Sequence, residues 1–262
     1  MPSFGIITST IASIRSDNTE ESLLLSQALF GELFSIISFS ESYVRIKLDF
    51  DGSEGWVNEN MLTPLDDETY IKLKDSRCFV IDKLIELQLD NLIYPLRLVP
   101  GSEIHMNGEI GNQMRIGKHL YNLKQRVSTP IYGNVRHSII TRALEFMNAP
   151  FLQGGRSLFG IDSPGLTQIV CKLNGITLPR EASKQMSVGR IIKKMEQAMI
   201  GDLAFFSGKD GIVNHVGIIH EKQKIIHVWG SVRIDDFDER GILDIETGEL
   251  SHKLLYIKNI VD

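Results

Sequence analysis

Two histidines and one hydroxyl in the C-terminal half of the chain have types and a spacing that nucleophilic chemistry can use. His215 and His227 lie twelve residues apart, each beside a run of β-branched residues that predicts a strand, and Ser163 directly precedes Pro164 at the predicted start of a helix. A helix N-terminus stabilises negative charge, and a histidine can accept a proton from a neighbouring nucleophile. Taken alone, a histidine before such a strand is typical of a hydrogen-bonded sheet residue, so the residue types leave the role of the pair open.

Neither a metal, a cofactor nor a disulfide is predicted. Asp162, His215 and His227 carry ligand atoms, but no spacing typical of a dedicated metal motif surrounds them. Cys78 and Cys171 are too far apart to indicate a disulfide framework. Cys171 lies in an apolar stripe at helical spacing, and we expect a small buried helix residue there.

The elements that must position these residues follow a helix-then-strand order. Apolar periodicity predicts helices over 136–147, 164–174 and 188–199. Alternating and β-branched runs then predict strands over 203–206, 213–220, 224–228, 232–234 and 253–257. Helices followed by antiparallel strands are typical of an α+β domain, which we place at residues 129–262.

The N-terminal half has a different pattern. Short apolar and β-branched runs predict strands over 9–15, 33–39 and 43–48, separated by turn-forming polar residues. Close spacing of short strands favours a small barrel over residues 1–65. A second β unit is predicted over residues 66–128.

Composition limits the classes of partner. The net charge is −5, with 42% hydrophobic and 23% charged residues, the mix of an ordinary globular protein. No basic run suggests a nucleic acid, and no apolar run is long enough for a membrane helix. The first residues do not resemble a signal peptide, so we expect a cytoplasmic protein, or an exported one if a leader was removed.

Three segments carry a family resemblance. They are APFLQGGRS…GIDSPGL at 149–166, GDLAFF at 201–206 and NHVGII…KIIHV at 214–228. Their order and spacing resemble the NlpC/P60 family of papain-like cell-wall peptidases. In the N-terminal half, the segment ending in GWV at 55–57 is similar to bacterial SH3 domains. The resemblance implies a papain-like α+β domain preceded by two SH3-like barrels.

The resemblance also assigns roles to individual residues. Ser163 occupies the position of the nucleophilic cysteine, His215 that of the base and His227 that of the residue orienting the base. Four further positions are implied to contact the substrate: Asp162, Pro164, Phe151 and Ser53. The substrate so implied is a γ-D-glutamyl-diamino acid peptide of peptidoglycan, and a murein-type or other small peptide is the expected ligand.

Several positions depart from the family pattern. Ser163 replaces a readily ionised thiol by a hydroxyl, and Pro164 replaces a serine and removes a backbone N–H. Phe151 and Gln153 stand where relatives carry Tyr and Trp. These changes favour a catalytically inactive relative that binds a cell-wall peptide. The alternatives are a hydrolase that uses Ser163 and His215, an engineered Cys-to-Ser form of an active enzyme, and an SH3-based interaction module.

Overall fold

The computed structural model describes residues 2–89, 93–106, 113–117, 119–124, 133–208, 211–244 and 247–261. The chain divides into two compact units, Met1–Pro130 and Ile131–Asp262. The predicted boundary between residues 128 and 129 lies outside the described residues. No helix in the described ranges is long and apolar enough to cross a membrane.

A seven-stranded antiparallel sheet begins the first unit. Its strands are β1 (Phe4–Ile7), β2 (Ile11–Arg15), β3 (Leu24–Leu29), β4 (Leu33–Ser40), β5 (Tyr43–Leu48), β6 (Glu54–Asn58) and β7 (Leu62–Leu65), in the order β3-β2-β6-β5-β4-β1-β7. The strands predicted over 9–15, 33–39 and 43–48 are confirmed as β2, β4 and β5. Burial alternates along β5, so one face of the sheet packs on a core that includes Ile14, Phe34 and Val57.

The rest of the first unit shares a core with this sheet. It contains α1 (Asp67–Lys74), β8 (Arg77–Val80), β9 (Ile85–Leu89), β10 (Leu96–Leu98), β11 (Glu103–Met106), β12 (Gln113–Ile116) and β13 (His119–Leu123). These strands form the sheets β10-β9-β13-β12 and β11-β8. Phe30 meets Tyr121 edge to face at 5.5 Å, and Ile6 and Ile104 belong to the same buried cluster. The two β regions therefore stabilise each other.

The second unit has the helix-then-strand order that the sequence predicts. It contains α2 (Val135–Leu144), β14 (Arg156–Ser157), β15 (Gly160–Ile161), α3 (Ser163–Lys172), α4 (Ala182–Gln185), β16 (Arg190–Ile192), β17 (Leu203–Ser207), β18 (Val213–Glu221), β19 (Lys224–Trp229), β20 (Ser231–Phe237), β21 (Gly241–Leu243) and β22 (Leu250–Asn259). The antiparallel sheet runs β16-β22-β17-β18-β19-β20-β21, and β21 also pairs with β22. This extra pairing closes six of the strands into a ring.

The helix predicted over 188–199 is wrong. Arg190–Ile192 is a strand that pairs with the end of β22, and Met195–Gln197 is a single 3-10 turn. Gly189 has a φ of +77°, and a Cβ there would lie 2.1 Å from the carbonyl oxygen of Asn259. A left-handed residue packed against the sheet edge cannot continue a helix, so sheet pairing overrides the apolar spacing.

Helix α3 positions the start of the candidate site. Its apolar residues Leu166, Ile169 and Val170 are fully buried, and the helix packs against β18 and β19. Cys171 is buried in the same helix, as predicted, and burial raises the pKa of its thiol. Neither Cys171 nor Cys78 is in a disulfide.

Candidate active site

The first turn of α3 is fixed by the carboxylate that caps it. Asp162 has extended backbone angles and accepts hydrogen bonds from the N–H of Gly165 at 2.8 Å and of Gly154 at 2.7 Å. Glycine is required at 165, because a Cβ there would lie 2.2 Å from the carbonyl oxygen of Gly155. The helix N-terminus therefore sits directly on the backbone of the preceding turn, with Ser163 as its first residue.

A buried arginine completes this cap. Arg180 donates to both oxygens of Asp162, from Nη1 to Oδ1 at 2.9 Å and from Nη2 to Oδ2 at 2.7 Å. The side chains are 9% and 4% exposed, respectively. Arg180 was not predicted from the sequence, where its signal is a charge directly after Leu178 and Pro179. Because four donors within the chain occupy the Asp162 carboxylate, its contact with a ligand stays a prediction.

Ser163 keeps a backbone N–H that could stabilise an anion. In the part of the chain that the structure describes, neither its N–H nor its Oγ donates a hydrogen bond. Pro164 has no N–H, and the N–H of Gly165 is used by the cap. The first three positions of α3 therefore offer one uncommitted donor to a developing oxyanion.

The two histidines belong to a buried chain of hydrogen bonds. His215 Nε2 lies 2.9 Å from His227 Nδ1, and His227 Nε2 lies 2.9 Å from Asp235 Oδ2. The other oxygen of Asp235 accepts from Arg233, at 3.1 Å from Nε and 3.0 Å from Nη2. Asp235 and Arg233 were not predicted, because only the pairing of β19 with β20 brings them to His227.

The order of this chain determines where the protons are. Asp235 can only accept, so His227 Nε2 carries a proton, and in a neutral His227 ring Nδ1 is then the acceptor. His215 must then donate from Nε2, which leaves its Nδ1 unprotonated. Nδ1 of His215 is therefore the atom that can take a proton from a nucleophile.

Burial keeps the imidazole of His215 neutral. It lowers the pKa of His215 well below its ordinary value of 6.5, and the nearby rings of His227 and His252 lower it further. His215 is 6% exposed. It is therefore an unprotonated acceptor at neutral pH, but a weak one.

The structure joins only some of the residues that the sequence analysis singled out. His215 and His227 are hydrogen-bonded, as the resemblance implies, and α3 packs on the strand that carries His215. No hydrogen bond joins Ser163 to His215 in the described ranges. Since the relay is present without a bond to Ser163, their pairing as nucleophile and base stays a prediction.

Two other predicted contacts lie at different places. Phe151 is half exposed, and its N–H donates to the carbonyl of Gly230 at 2.9 Å, next to the end of β19. Ser53 lies in the turn between β5 and β6 of the first unit, where its N–H donates to Asp51 Oδ1 at 2.8 Å. A ligand contact of Phe151, Ser53 or Pro164 stays a prediction.

One group outside this site brings metal-ligand atoms together. In the described ranges, the ligand atoms of Cys78, Glu103 and His105 lie within 4.8 Å of one another. However, Nδ1 of His105 is 3.1 Å from the carbonyl of Leu73 and Nε2 is 2.9 Å from that of Gly31. Two carbonyl partners require both nitrogens to donate, so this ring is an imidazolium with no lone pair for a metal.

We expect His105 to make the stability of the protein depend on pH. Burial lowers its pKa, but the Glu103 carboxylate and the two carbonyls outweigh burial and raise it above 6.5. The stabilisation should be complete below pH 6.5 and lost as the pH rises through the folded-state pKa. Urea unfolding of the parent and of His105→Gln should give free energies whose difference shrinks with rising pH. A constant or growing difference would contradict the imidazolium.

A second prediction concerns the end of the histidine relay. Asp235→Asn should lower the free energy of unfolding by about 1.5–3 kcal/mol, because hydrogen bonds to a buried charge are lost. The amide can donate as well as accept, so the tautomers of His227 and His215 should become mixed in ¹⁵N NMR spectra. Asp236→Asn is the matched control, because it breaks only the exposed ion pair with Lys224. Unchanged tautomers in Asp235→Asn would refute the proposed proton order.

The helix-then-sheet order, with a helix N-terminus and a histidine relay, defines a papain-like α+β domain. Residues 148–249 match the model of the NlpC/P60 family. The chain therefore carries a domain of the NlpC/P60 family, as the sequence predicted.

Relatives at low identity extend over more of the chain. A γ-D-glutamyl-L-lysine dipeptidyl-peptidase of Bacillus subtilis (strain 168) is 23% identical over 219 residues, covering 79% of this chain and 73% of that protein. The protein of the same name from Bacillus cereus (strain ATCC 10987 / NRS 248) is 26% identical over 240 residues, covering 80% and 68%. Both relatives are named as peptidases, which supports a peptidase-like function for this chain.

Solved structures agree on the fold. An NlpC/P60 family protein from Bacillus cereus ATCC 10987 superposes with a TM-score of 0.80 at 19% identity, over 99% of this chain and 100% of that one. An NlpC/P60 endopeptidase from Photobacterium damselae subsp. piscicida gives a TM-score of 0.72 at 18% identity, over 98% and 71%. At these identities the likeness concerns the fold alone.

Proposed function

We propose that the second unit binds a peptidoglycan-type peptide containing a γ-D-glutamyl-diamino acid bond, and that with Ser163 it cleaves this peptide slowly or not at all. The observation that carries the proposal is a buried relay from His215 through His227 to Asp235, in a sheet packed against the helix of Ser163, with no hydrogen bond between Ser163 and His215 among the described residues. The relatives' names supply the class of peptide.

The acidity of the nucleophile decides between binding and cleavage. A free thiol has a pKa of about 8.5, which a helix N-terminus lowers, so a weak base can still produce a thiolate. A hydroxyl is a far weaker acid than a thiol and stays protonated at neutral pH, so the base must remove its proton during the attack itself. Burial lowers the pKa of His215 and makes it a weak base for that step. One uncommitted oxyanion donor, of a kind that typically contributes about 3–4 kcal/mol, adds limited stabilisation, so Ser163 is a poor nucleophile here.

The rival function is a hydrolase that uses Ser163 and His215. The ordered relay and the free N–H of Ser163 favour it, because both would serve catalysis on oxygen as well as on sulfur. An engineered Cys-to-Ser form of an active enzyme would have the same relay. The hydrolase and the parent enzyme of an engineered form would both release a cleavage product in a reaction that requires His215. A protein that only binds the peptide would not.

The first unit suggests a further role, as an SH3-like interaction module. Its short antiparallel strands and the GWV segment at 55–57 support this assignment for residues 1–65. A binding partner found with the first unit alone, and unaffected by substitutions at His215, would support a role separate from the peptide site.

Binding can be tested by thermal unfolding with L-Ala-γ-D-Glu-L-Lys and its diaminopimelate analogue. Ligand at ten times its Kd should stabilise the protein by about 1.4 kcal/mol, seen as a higher Tm. The diastereomer with L-Glu is the matched control and should give no shift. Equal Tm values with and without millimolar γ-D-Glu peptide would refute the proposal. Steady release of L-Ala-γ-D-Glu that His215→Gln abolishes would favour the hydrolase instead.

A further inference from the structure

The ring of His252 lies against the face of His215. Their centroids are 4.2 Å apart with the planes inclined by 25°, and His252 is 8% exposed. It stands on β22, two strands from β18 in the sheet. We propose that His252 is a positioning residue, whose ring fixes the plane of the His215 imidazole and shields it from water. The inference rests on the proposed function in taking His215 as the base.

His215 is held on several sides, and His252 supplies one of them. The edge carrying Nε2 is tied to His227 by the 2.9 Å hydrogen bond. The face is covered by His252, and Phe206 approaches at 6.1 Å with its plane tilted by 56°. Turning the His215 ring would break both the bond and the stack. Nδ1 is then left as the nitrogen with no hydrogen bond among the described residues.

The position of His252 is itself set by close packing. Trp229 meets its ring edge to face at 4.9 Å, and its Nδ1 lies 3.0 Å from the hydroxyl of Ser251. Gly241 on β21 has a φ of +147°, and a Cβ there would lie 1.7 Å from the carbonyl oxygen of His252. The closure of the sheet fixes the backbone of His252. The half-exposed side chain of Trp229 holds its ring from the other side.

Shape, not charge, is the contribution of His252 at neutral pH. Burial first, and then the ring of His227, lower the pKa of His252 to about 4, while the Asp235 carboxylate opposes this. His215, from β18, is the third titratable group facing it. His252 is therefore neutral when the site would work, and another flat ring should replace it.

The test is to follow the titration of His215 by NMR in ¹³C,¹⁵N-histidine-labelled full-length protein, assigned with His215→Gln. In the parent, the His215 ring should stay neutral to a pH well below 6.5, because burial lowers its pKa. His252→Phe should keep this titration, and it should also keep the ring-current shift that the ring at position 252 produces on the protons of His215. His252→Ala should admit water, raise the pKa of His215 towards 6.5 and abolish the shift. Lys253→Ala, exposed on the same strand, is the control and should change neither.

Loss of a merely structural contact would give a different result. If His252→Ala lowers Tm but leaves the titration of His215 unchanged, the inference is overturned. Should the alanine variant fail to fold, His252→Asn, which is smaller and polar, should still open the face of His215 to water and raise its pKa.

A second arm uses Ser163→Cys as the background. There His252→Ala should reduce kcat about tenfold or more with little change in KM, and His252→Phe should restore most of it. If Ser163→Cys has no activity, other changes have disabled catalysis, and the NMR arm alone decides the role of His252. A kcat unchanged by His252→Ala in an active background would overturn the positioning role.

Discussion

Ser163→Cys should raise hydrolysis of L-Ala-γ-D-Glu-L-Lys by at least about 100-fold over the parent. A thiol at the first position of α3 is stabilised as a thiolate by the helix N-terminus, and the bare Nδ1 of His215 needs to accept only its proton. General base catalysis of this kind contributes typically 10²–10⁴-fold. The measurement is release of the L-Ala-γ-D-Glu dipeptide under saturating substrate.

Two further variants test whether the activity gained in Ser163→Cys depends on the thiol and on His215. Ser163→Ala sets the background, and Ser163→Cys combined with His215→Gln should fall back to it, because the thiol then lacks its base. A Ser163→Cys protein no more active than Ser163→Ala would show that other changes have disabled the site. Pro164 would be the first suspect, since it is the neighbour that lacks both a hydroxyl and an N–H. Activity restored by adding Pro164→Ser would assign the loss to that position.

Arg180→Met should be the most destabilising change near the site, costing about 3–5 kcal/mol in the free energy of unfolding. It removes one partner of a buried ion pair and leaves the carboxylate of Asp162 with only two backbone donors. Urea unfolding with fluorescence or circular dichroism measures the loss. Lys184→Met is the matched control, because its ion pair with Glu181 is exposed. We expect almost no change there.

The buried charge, not the lost packing, should account for most of this effect. Asp162→Asn in the Arg180→Met background removes the unpaired carboxylate while keeping an oxygen to cap α3, so it should recover part of the loss. This double variant also keeps the test decisive if Arg180→Met alone does not fold. A loss in Arg180→Met no larger than in Lys184→Met would contradict the buried pair.

Features encoded by neighbouring residues could be predicted from the sequence. The start of α3 follows from the Asp162 cap with Pro164 in the first turn, and its end from Gly175, whose φ is +73°. The pairing of His215 with His227 depends on a hairpin whose strands are joined by a short turn at Lys222 and Gln223. Each of these signals lies within a few residues of the feature that it predicts, so it can be recognised without knowledge of the fold.

Features that depend on distant pairing could not be predicted. The stretch 188–199 has helical spacing, yet β16 within it pairs with β22, about 65 residues further along the chain. Arg180 and Asp162 form their ion pair across 18 residues. The sequence around each residue does not indicate which distant residue it pairs with.

The sequence by itself determined the family, the helix on which Ser163 stands and the strands that carry His215 and His227. The tertiary structure alone decided that Asp235 ends the relay from His215 through His227 and that the ring of His252 covers His215. The physical reason is the closure of the sheet, in which β20 pairs with β19, and β22 with both β17 and β21. Side chains on these strands meet because of strand order, which residue spacing along the chain does not specify.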